Sequence, residues 1–409
     1  MQEIGKKAKA AAAIGNSLDI NTKNNVLEAL KDNLLKHKNE IFQANQKDIK
    51  NGIATSLSSA MLDRLTVTED YLNNMVQGIS DIINLPDPIG EILETKTLEN
   101  GLLLKKVTVP LGVVGIIYES RPNVTIDAFA LNFKAGNASI LKGGKEAIET
   151  NIIFEKIIRE TLENFQIDSN FVQLIKDVTR SSTTKLMKLN QYVDVLIPRG
   201  SQGLIDTVLL ESTIPVIETG AGNCHIYVDE SADLKQALII IENAKLQRPG
   251  VCNAVESLVI HQNIAKHFIP ELVTYLKEVQ FKGDKIAVAI DSRIETATEA
   301  DFYTEYLDKT LSITVVKDIN QAIKHISQHH TGHSDAILTD NQVHADLFVE
   351  KIDSAAVYVN ASTRFTDGFV FGLGAEIGIS TQKLHARGPM GLKALTTYKY
   401  IVKGKGQIR

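Results

Sequence analysis

Residues 110–147 read PLGVVGIIYESRPNVTIDAFALNFKAGNASILKGGKEA, and this stretch decides the fold class. It predicts a strand over 112–118, a helix over 125–135 and a second strand over 138–142, with turn residues between them. A strand, a helix and a strand of these lengths form a βαβ unit, whose two strands run parallel. The sequence therefore predicts an α/β fold with parallel sheets.

The same alternation continues on both sides of this unit. Helices are predicted over 145–164 and 182–189, after a helical entry segment over 8–76. Asn100-Gly101 predicts a tight β-hairpin over 91–108, because both central turn positions need positive φ. Further strands are predicted over 172–175, 193–197, 215–219, 225–228, 255–261, 311–316, 336–338, 356–360 and, near the C-terminus, 398–402.

The length of 409 residues exceeds one folding unit of ~150 residues, so we expect two large domains. We place the boundary just before Cys252, which gives a cofactor-binding domain over 1–247 and a catalytic domain over 248–375. Residues 376–409 are predicted to form a C-terminal return segment. Each large domain is expected to have three α/β/α layers, with the hairpin as a small separate element.

Composition excludes several classes of function. The net charge of −5 provides no broad basic surface, so nucleic acid is not an expected partner. The apolar run over 107–118 is broken by Pro110 and glycines and is shorter than the ~20 residues that cross a bilayer. The N-terminus carries no signal-peptide core, and two cysteines cannot form a disulfide framework. We expect a cytoplasmic protein without a membrane partner.

Cys252 is the candidate nucleophile. In QRPGVCNA, residues 247–254, Pro249-Gly250 forces a turn just before the thiol, and a strand follows it. The pattern fits a sulfur displayed at a strand edge, and it equally fits a buried structural cysteine. Cys224 is interpreted as structural.

Asn123 is the candidate oxyanion donor, because it follows a strand and stands at the start of a helix. The same position also suits a helix cap.

Two strand-to-helix turns are candidate phosphate sites, since helix N-termini attract anions. The first is formed by Lys142, Gly143, Gly144 and Lys145. The second is Gly200-Ser201, in IPRGSQGL.

Two further segments contain residue types that occur at ligand sites. His329, His330 and His333 have no cysteine or carboxylate at ligand spacing, so a solvated loop is favoured over a metal site. GFVFGLGAEIGIS, residues 368–380, suits a phosphate loop or a packed loop.

Together these segments resemble the aldehyde dehydrogenase superfamily over nearly the whole chain. Members of the superfamily contain the same motifs in a fixed order: a hairpin, PxGVxG, Asn, GN…LK, a GS turn, Glu, Cys and a Gly-rich segment. This chain has the matching segments in the same order: Asn100-Gly101, PLGVVG from Pro110, Asn123, GNASILK ending at Lys142, Gly200-Ser201, Glu218, Cys252 and FGLGAEIG. The phrases KAGNASILKGGKEA, QRPGVCNAVESLVIH and HARGPMGLKALTTYKY are similar to a branch that reduces an acyl phosphate.

The resemblance implies an aldehyde dehydrogenase-like fold, with Cys252 as nucleophile and Asn123 as oxyanion donor. Glu218 stands where hydrolytic members keep a general base, but ETGAGN replaces the usual ELGG and a reductase activates no water, so a positioning role is implied. The two glycine turns would bind the cofactor. Lys145 stands where NAD-using members commonly have a glutamate, which implies NADPH/NADP+.

The implied reaction is the NADPH-dependent reduction of L-glutamyl 5-phosphate to L-glutamate 5-semialdehyde and phosphate, through a thioester on Cys252, as the second step of proline biosynthesis. Arg121, Arg364 and His385 are candidate contacts for this anionic substrate, with ordinary surface charge as the alternative. The resemblance also implies that the hairpin and the strand near Tyr398–Val402 pair across subunits.

We expect a homodimer or a dimer of dimers, and we leave open an association with glutamate 5-kinase, the enzyme that would supply the acyl phosphate. Two other functions compete. One is an NAD-dependent aldehyde oxidiser of the same superfamily. The other is a catalytically inactive scaffold, against which the retention of Cys252, Asn123 and Lys142 argues.

Overall fold

The computed structural model describes residues 1–409, except for the side chains of residues 59 and 60. The α-helices are α1 Gln2–Gly15, α2 Ile20–Lys36, α3 Lys38–Ala54, α4 Ser59–Leu65, α5 Glu69–Asn84, α6 Asn123–Lys134, α7 Ile148–Asn164, α8 Arg180–Met187, α9 Gln202–Glu211, α10 Leu234–Leu246, α11 Gln262–Tyr275, α12 Lys285–Ile290, α13 Glu299–Phe302, α14 Ile319–His329 and α15 Gln342–Lys351.

The strands are β1 Ile92–Thr97, β2 Leu103–Pro110, β3 Val113–Tyr118, β4 Ala138–Lys142, β5 Val172–Leu174, β6 Val195–Arg199, β7 Cys224–Val228, β8 Val255–His261, β9 Gln280–Gly283, β10 Glu295–Thr296, β11 Thr310–Val316, β12 Ser334–Leu338, β13 Ala356–Val359, β14 Ile379–Ser380, β15 Gly388–Pro389 and β16 Thr396–Lys403.

The chain divides into two compact units. The first contains residues 1–219, 372–378 and 390–409, and the second contains residues 220–371 and 379–389. The predicted boundary before Cys252 was therefore wrong in position. Strand β7 and helix α10 belong to the second unit, because β7 is hydrogen-bonded between β8 and β12. The predicted return segment is likewise shared between the two units.

The first unit contains a parallel sheet in the order β5-β4-β3-β6. Every residue of β3, VVGIIY, is buried. Such a continuous apolar run is typical of a parallel strand that is covered on both faces. Helix α6 ends at Lys134, and Gly136, just beyond its C-cap residue Ala135, has a φ of 77°, the left-handed conformation that often follows a helix end. The βαβ unit predicted from residues 110–147 is confirmed.

The first unit also contains an antiparallel sheet in the order β1-β2-β16. The predicted hairpin is present around Gly101, which has a φ of 83°. Strand β16 pairs with β2 of the same chain over Thr396–Lys403. This pairing lies within one chain, and the pairing of the hairpin and the C-terminal strand across subunits stays a prediction.

The second unit is built on a parallel sheet in the order β10-β9-β11-β8-β7-β12-β13. Apolar residues of α10, α11 and α12 form one buried cluster with the sheet, and residues of α14 and α15 form another. Buried helices of this kind give the predicted three layers.

Several element boundaries differ from the prediction. Residues 215–219 form only an isolated bridge between Val216 and Leu196, and β9 and β10 were missed. The helix predicted from residue 145 begins with a 3-10 turn, Lys145–Ala147, and becomes α-helical at Ile148. Within the described residues, no helix has both the length and the apolar character that a membrane crossing requires.

Candidate functional site

The carboxyl edge of the four-stranded sheet collects most of the site residues predicted in the first unit. Strand β3 pairs with β4 and β6, so Ile117 lies opposite Lys142 and Tyr118 lies opposite Arg199. Parallel strands end at one edge, where α/β sheets bind their ligands. Asn123 begins α6 just after β3 and therefore starts from the same edge.

Asn123 is held at both ends of its amide. Its Oδ1 accepts a hydrogen bond from the Tyr71 hydroxyl at 2.6 Å, and its Nδ2 donates to Asp127 Oδ2 at 2.7 Å. Pro122, not Asn123, is the N-cap residue of α6, and no side chain caps this helix end. The helix-cap interpretation of Asn123 was wrong. The side chain is partly exposed, as an oxyanion donor must be.

Asp127 is a residue that the sequence analysis missed. Burial raises the pKa of its carboxyl from 3.8 to about 6, while the hydrogen bond from Asn123 and the charge of Arg199 act in the opposite direction. An acidic residue one helical turn after Asn123 is the only signal that the sequence carries for it.

Lys142 lies at the end of β4, where its buried Nζ donates to the carbonyl oxygen of Gly143 at 3.2 Å. Burial lowers the pKa of this amine. A Cβ atom at Gly143 would lie 2.4 Å from Nδ2 of the buried Asn151, so the turn requires glycine. Lys145 is exposed in the next turn.

Two carboxylates that the sequence analysis missed approach these turns. Glu146 Oε1 accepts from the amide and the hydroxyl of Ser120, at 2.6 and 2.8 Å. At the second turn, the Ser201 amide donates to Glu119 Oε2 at 2.8 Å, so the start of α9 already carries an anion beside Gly200. All three hydrogen bonds join residues distant in sequence, and no local motif indicates them.

Of the two turns at this sheet edge, the turn at Lys142–Lys145 fits a phosphate-bearing cofactor better than the turn at Gly200-Ser201. Lys142 and the exposed Lys145 supply positive charge there, and the Glu146 carboxylate is engaged by Ser120. At the second turn, an anionic group would meet the Glu119 carboxylate.

Glu218 and Arg121, the other predicted residues of the first unit, are both partly buried. Burial and the charge of Asp206 raise the pKa of Glu218. The neighbouring Thr219 hydroxyl donates to the carbonyl oxygen of Pro198 at 2.6 Å, which places Glu218 beside the end of β6. Arg121 lies in the loop between β3 and α6.

Cys252 lies in a turn at the amino end of β8 and is partly exposed, as predicted for a displayed thiol. Cys224 is buried, and its Sγ donates to the Cys252 carbonyl oxygen at 3.2 Å. Burial raises the pKa of Cys224 well above its usual value. A Cβ atom at Gly222 would lie 1.5 Å from the same carbonyl oxygen, so Gly222 allows this close approach.

Arg364 lies close to the Cys252 turn. Its guanidinium donates to Asn253 Oδ1 and, at 3.1 Å, to Gln247 Oε1. Burial and the neighbouring Arg248 lower the pKa of Arg364. Arg248 was missed, although it stands only four residues before Cys252. Two guanidinium groups near the candidate nucleophile Cys252 provide positive charge that would suit an anionic substrate.

His385, the remaining substrate candidate, is exposed and has a φ of 68°. Its loop is held by Lys383 and Arg387, which both pair with Asp353. The segment 368–380 is not simply a packed loop, since Phe369, Val370 and Phe371 are each about half exposed.

The three histidines do not form the predicted solvated loop. His329 and His333 are buried, and His330 Nδ1 lies 2.7 Å from Asp335 Oδ2. Burial lowers the pKa of His333 to about 4. Among the described residues, no group of three or more histidine, cysteine or acidic side chains is arranged to hold a metal ion.

A separate cavity of about 450 Å³ lies at the carboxyl edge of the seven-stranded sheet, at the end of the sheet opposite the Cys252 turn. Its lining includes Gln262, Lys266 and Lys317. This cavity therefore does not coincide with the candidate nucleophile.

A model of the aldehyde dehydrogenase family matches residues 1–311, more than half of the chain. The chain belongs to this family of oxidoreductases, and the predicted fold class is confirmed. Within the family, it is 52% identical to gamma-glutamyl phosphate reductase of Lachnospira eligens, over 100% of this chain and 99% of the relative. It is 49% identical to the same enzyme of Caldicellulosiruptor bescii, over 100% and 99%.

Among solved structures, the chain is similar to gamma-glutamyl phosphate reductase from Thermotoga maritima. The identity is 44%, the TM-score is 0.97, and the match covers 100% of this chain and 99% of that one. The resemblance inferred from the sequence motifs is confirmed.

Proposed function

We propose that this chain reduces L-glutamyl 5-phosphate to L-glutamate 5-semialdehyde with release of phosphate, as the second step of proline biosynthesis from glutamate. The observation that carries the proposal is the sequence identity, at about half of all positions and over the full length, to relatives named gamma-glutamyl phosphate reductase. It is supported by a partly exposed thiol, Cys252, near Arg364 and Arg248.

In the proposed reaction, the Cys252 thiolate forms a bond to the acyl carbon and the bond from that carbon to the phosphate oxygen breaks. A thiolate suits both the attack on the acyl carbon and the later departure from it, because it is a strong nucleophile and a good leaving group. The Asn123 amide and the Cys252 backbone amide stabilise the charge on the carbonyl oxygen as it develops. Phosphate leaves and a thioester remains.

A nicotinamide cofactor belongs to this chemistry, and NADPH is the form we propose. When bound, it supplies the hydride that reduces the thioester carbon. The bond between that carbon and the Cys252 sulfur then breaks, which releases the semialdehyde and regenerates the thiolate. Lys142 and Lys145 would hold its adenosine end, with Gly143 and Gly144 providing the close approach of the backbone. The Glu119 carboxylate at Ser201 makes the second turn a weaker candidate.

The test is the reverse reaction: reduction of NADP+ by glutamate 5-semialdehyde, followed at 340 nm with and without inorganic phosphate. Phosphate-dependent NADPH formation supports the proposal. Oxidation of simple aldehydes with NAD+ and without phosphate would instead identify an aldehyde oxidiser. A folded chain without turnover in either assay would support the inactive scaffold.

Cys252→Ser should abolish this turnover, and Cys224→Ser should retain most of it. The second variant is a matched control, because both exchanges remove one sulfur and Cys224 lies within hydrogen-bonding distance of the same turn. Mass spectrometry of the protein after addition of substrate should detect an acyl adduct on Cys252 only. Activity of Cys252→Ser together with inactivity of Cys224→Ser would falsify the assignment.

A further inference from the structure

The side-chain amide of Asn123 is held by two side chains, Tyr71 and Asp127, that have no role in the reaction steps proposed above. Tyr71 comes from α5, and Asp127 comes from the next turn of α6. The two hydrogen bonds, at 2.6 and 2.7 Å, engage opposite ends of the amide group.

The two ends of an amide have nearly the same shape, so a side-chain amide can rotate by 180° unless its partners distinguish oxygen from nitrogen. A tyrosine hydroxyl does not distinguish them, because it can donate or accept. An ionised carboxylate only accepts. Asp127 is therefore the group that forces Nδ2 toward α6, and Tyr71 completes the arrangement by donating to Oδ1.

This orientation matters because the amide nitrogen carries two N–H groups. One is used by Asp127, and the second points away from it and can donate to another acceptor. In the rotated orientation the carbonyl oxygen would repel a developing oxyanion instead of stabilising it. The Arg199 charge favours the ionised form of Asp127, which keeps the acceptor in place.

We propose that Asp127 and Tyr71 are positioning residues, which orient Asn123 so that its second N–H donates to the oxyanion of the acyl substrate. The inference rests on the proposed function, because it needs Asn123 to act on that oxyanion. Tyr71 on α5 and Asp127 on α6 would then affect turnover only by holding the orientation of Asn123.

The test compares kcat and KM of Asp127→Ala, Asp127→Asn and Tyr71→Phe, each made in the wild-type chain and in Asn123→Ala. Since loss of one oxyanion donor costs roughly 10²- to 10³-fold in kcat, Asn123→Ala should fall in that range. Asp127→Ala should lower kcat about 10-fold or more with little change in KM. Tyr71→Phe should lower it about 3- to 10-fold, as expected for one hydrogen bond.

Asp127→Asn is the conservative variant and should lie between Asp127→Ala and the wild type. It keeps an acceptor oxygen, but its own amide allows Asn123 to adopt both orientations. Because it preserves volume, it also carries the test if Asp127→Ala folds poorly. Asp81→Ala is the matched control. It removes another carboxylate that accepts from an amide four residues away, Gln77 on α5, and it should leave kcat unchanged.

In the Asn123→Ala background, none of the three variants should lower kcat further, because residues that act through one group are not additive. An equal fold-loss in both backgrounds would overturn the proposal and assign Asp127 an independent role. Loss of turnover in Asn123→Ala with normal kcat in Asp127→Ala would overturn the positioning role alone. Normal turnover of Asn123→Ala would refute the proposed oxyanion role itself, and the positioning role with it.

Discussion

Lys145 is the residue on which the choice of cofactor is predicted to depend. It is exposed at a helix start, and a carboxylate there would repel a 2′-phosphate. Lys145→Glu should therefore lower the ratio of kcat/KM for NADPH over that for NADH by at least ~10-fold, about 1.4 kcal/mol. The control is Lys235→Glu, another exposed lysine in a first helical turn. An unchanged ratio in Lys145→Glu, or a wild type that prefers NADH, contradicts the prediction.

Asp127 also predicts how stability changes with pH. Its folded-state pKa of about 6 exceeds the ordinary value of 3.8, so the folded chain keeps a proton that the unfolded chain releases in that interval. The contribution of this carboxyl to stability therefore decreases as pH rises from about 4 to about 6.

Asp127→Asn removes this titration, so its stability relative to wild type should increase as pH rises through the same interval. Urea midpoints of both proteins at pH 4.5, 5.5 and 7 measure this difference. A difference that stays constant with pH would show that Asp127 does not titrate in this window.

Helix α10 and strand β8 are joined by a buried ion pair just behind the Cys252 turn. Lys245 Nζ lies 2.5 Å from Glu256 Oε2, and both side chains are fully buried. Burial raises the pKa of Glu256 to about 7, and the Lys245 charge opposes this rise. Lys245→Met would leave the carboxyl group buried without its partner, which typically costs about 3–5 kcal/mol of unfolding free energy.

The urea midpoint of Lys245→Met should decrease accordingly, and Lys245→Met with Glu256→Gln should recover part of the loss, since no unpaired charge remains. Lys393→Met is the matched control. It breaks an exposed ion pair with Glu91, of the kind that contributes only ~0–1 kcal/mol. Equal effects of Lys245→Met and Lys393→Met would argue against a stabilising role for the buried pair.

The elements that the sequence predicted well are those with a strong pattern. Strand β3 is a continuous apolar run, and the hairpin turn is marked by Asn100-Gly101. Strand β9, QFKG, was missed because two of its four residues are polar and it is held by pairing with β10 and β11. Residues 215–219 looked like a strand, but only Val216 forms a bridge to β6.

The candidate-site residues that could be predicted from the sequence are those that lie at or just after the ends of strands. Lys142 and Asn123 could be placed at one sheet edge from their positions after β4 and β3. The hydrogen bonds of Tyr71 with Asn123, of Glu146 with Ser120 and of Glu119 with Ser201 could not be predicted. Each of them joins residues 26 to 82 positions apart, and such contacts leave no local pattern in the sequence.

At the scale of the whole molecule, the chain crosses between its two units more than once. Residues 372–378 return to the first unit, residues 379–389 belong to the second again, and residues 390–409 end the chain in the first. The sequence alone did not predict that the C-terminal residues belong to the first unit. Strand β16 is joined to that unit by hydrogen bonds to β2, which lies far from it in the sequence.

The three-stranded sheet β1-β2-β16 predicts how copies of the chain associate. Strand β16 is an edge strand, and its Tyr398, Tyr400 and Val402 side chains are each about half exposed. An edge with exposed apolar side chains is a ready surface for pairing with another chain. The expected homodimer, or dimer of dimers, would bury this surface.

Tyr400→Lys with Val402→Lys should therefore shift the protein toward a monomer of 44.9 kDa, because burying two lysines in an interface is unfavourable. Size-exclusion chromatography with light scattering measures the mass. The control is Val343→Lys, which introduces one lysine at another exposed apolar residue, on α15. If the double variant keeps the wild-type mass, or if Val343→Lys dissociates the protein equally, association does not depend on β16. A wild type that is already monomeric would contradict the prediction directly.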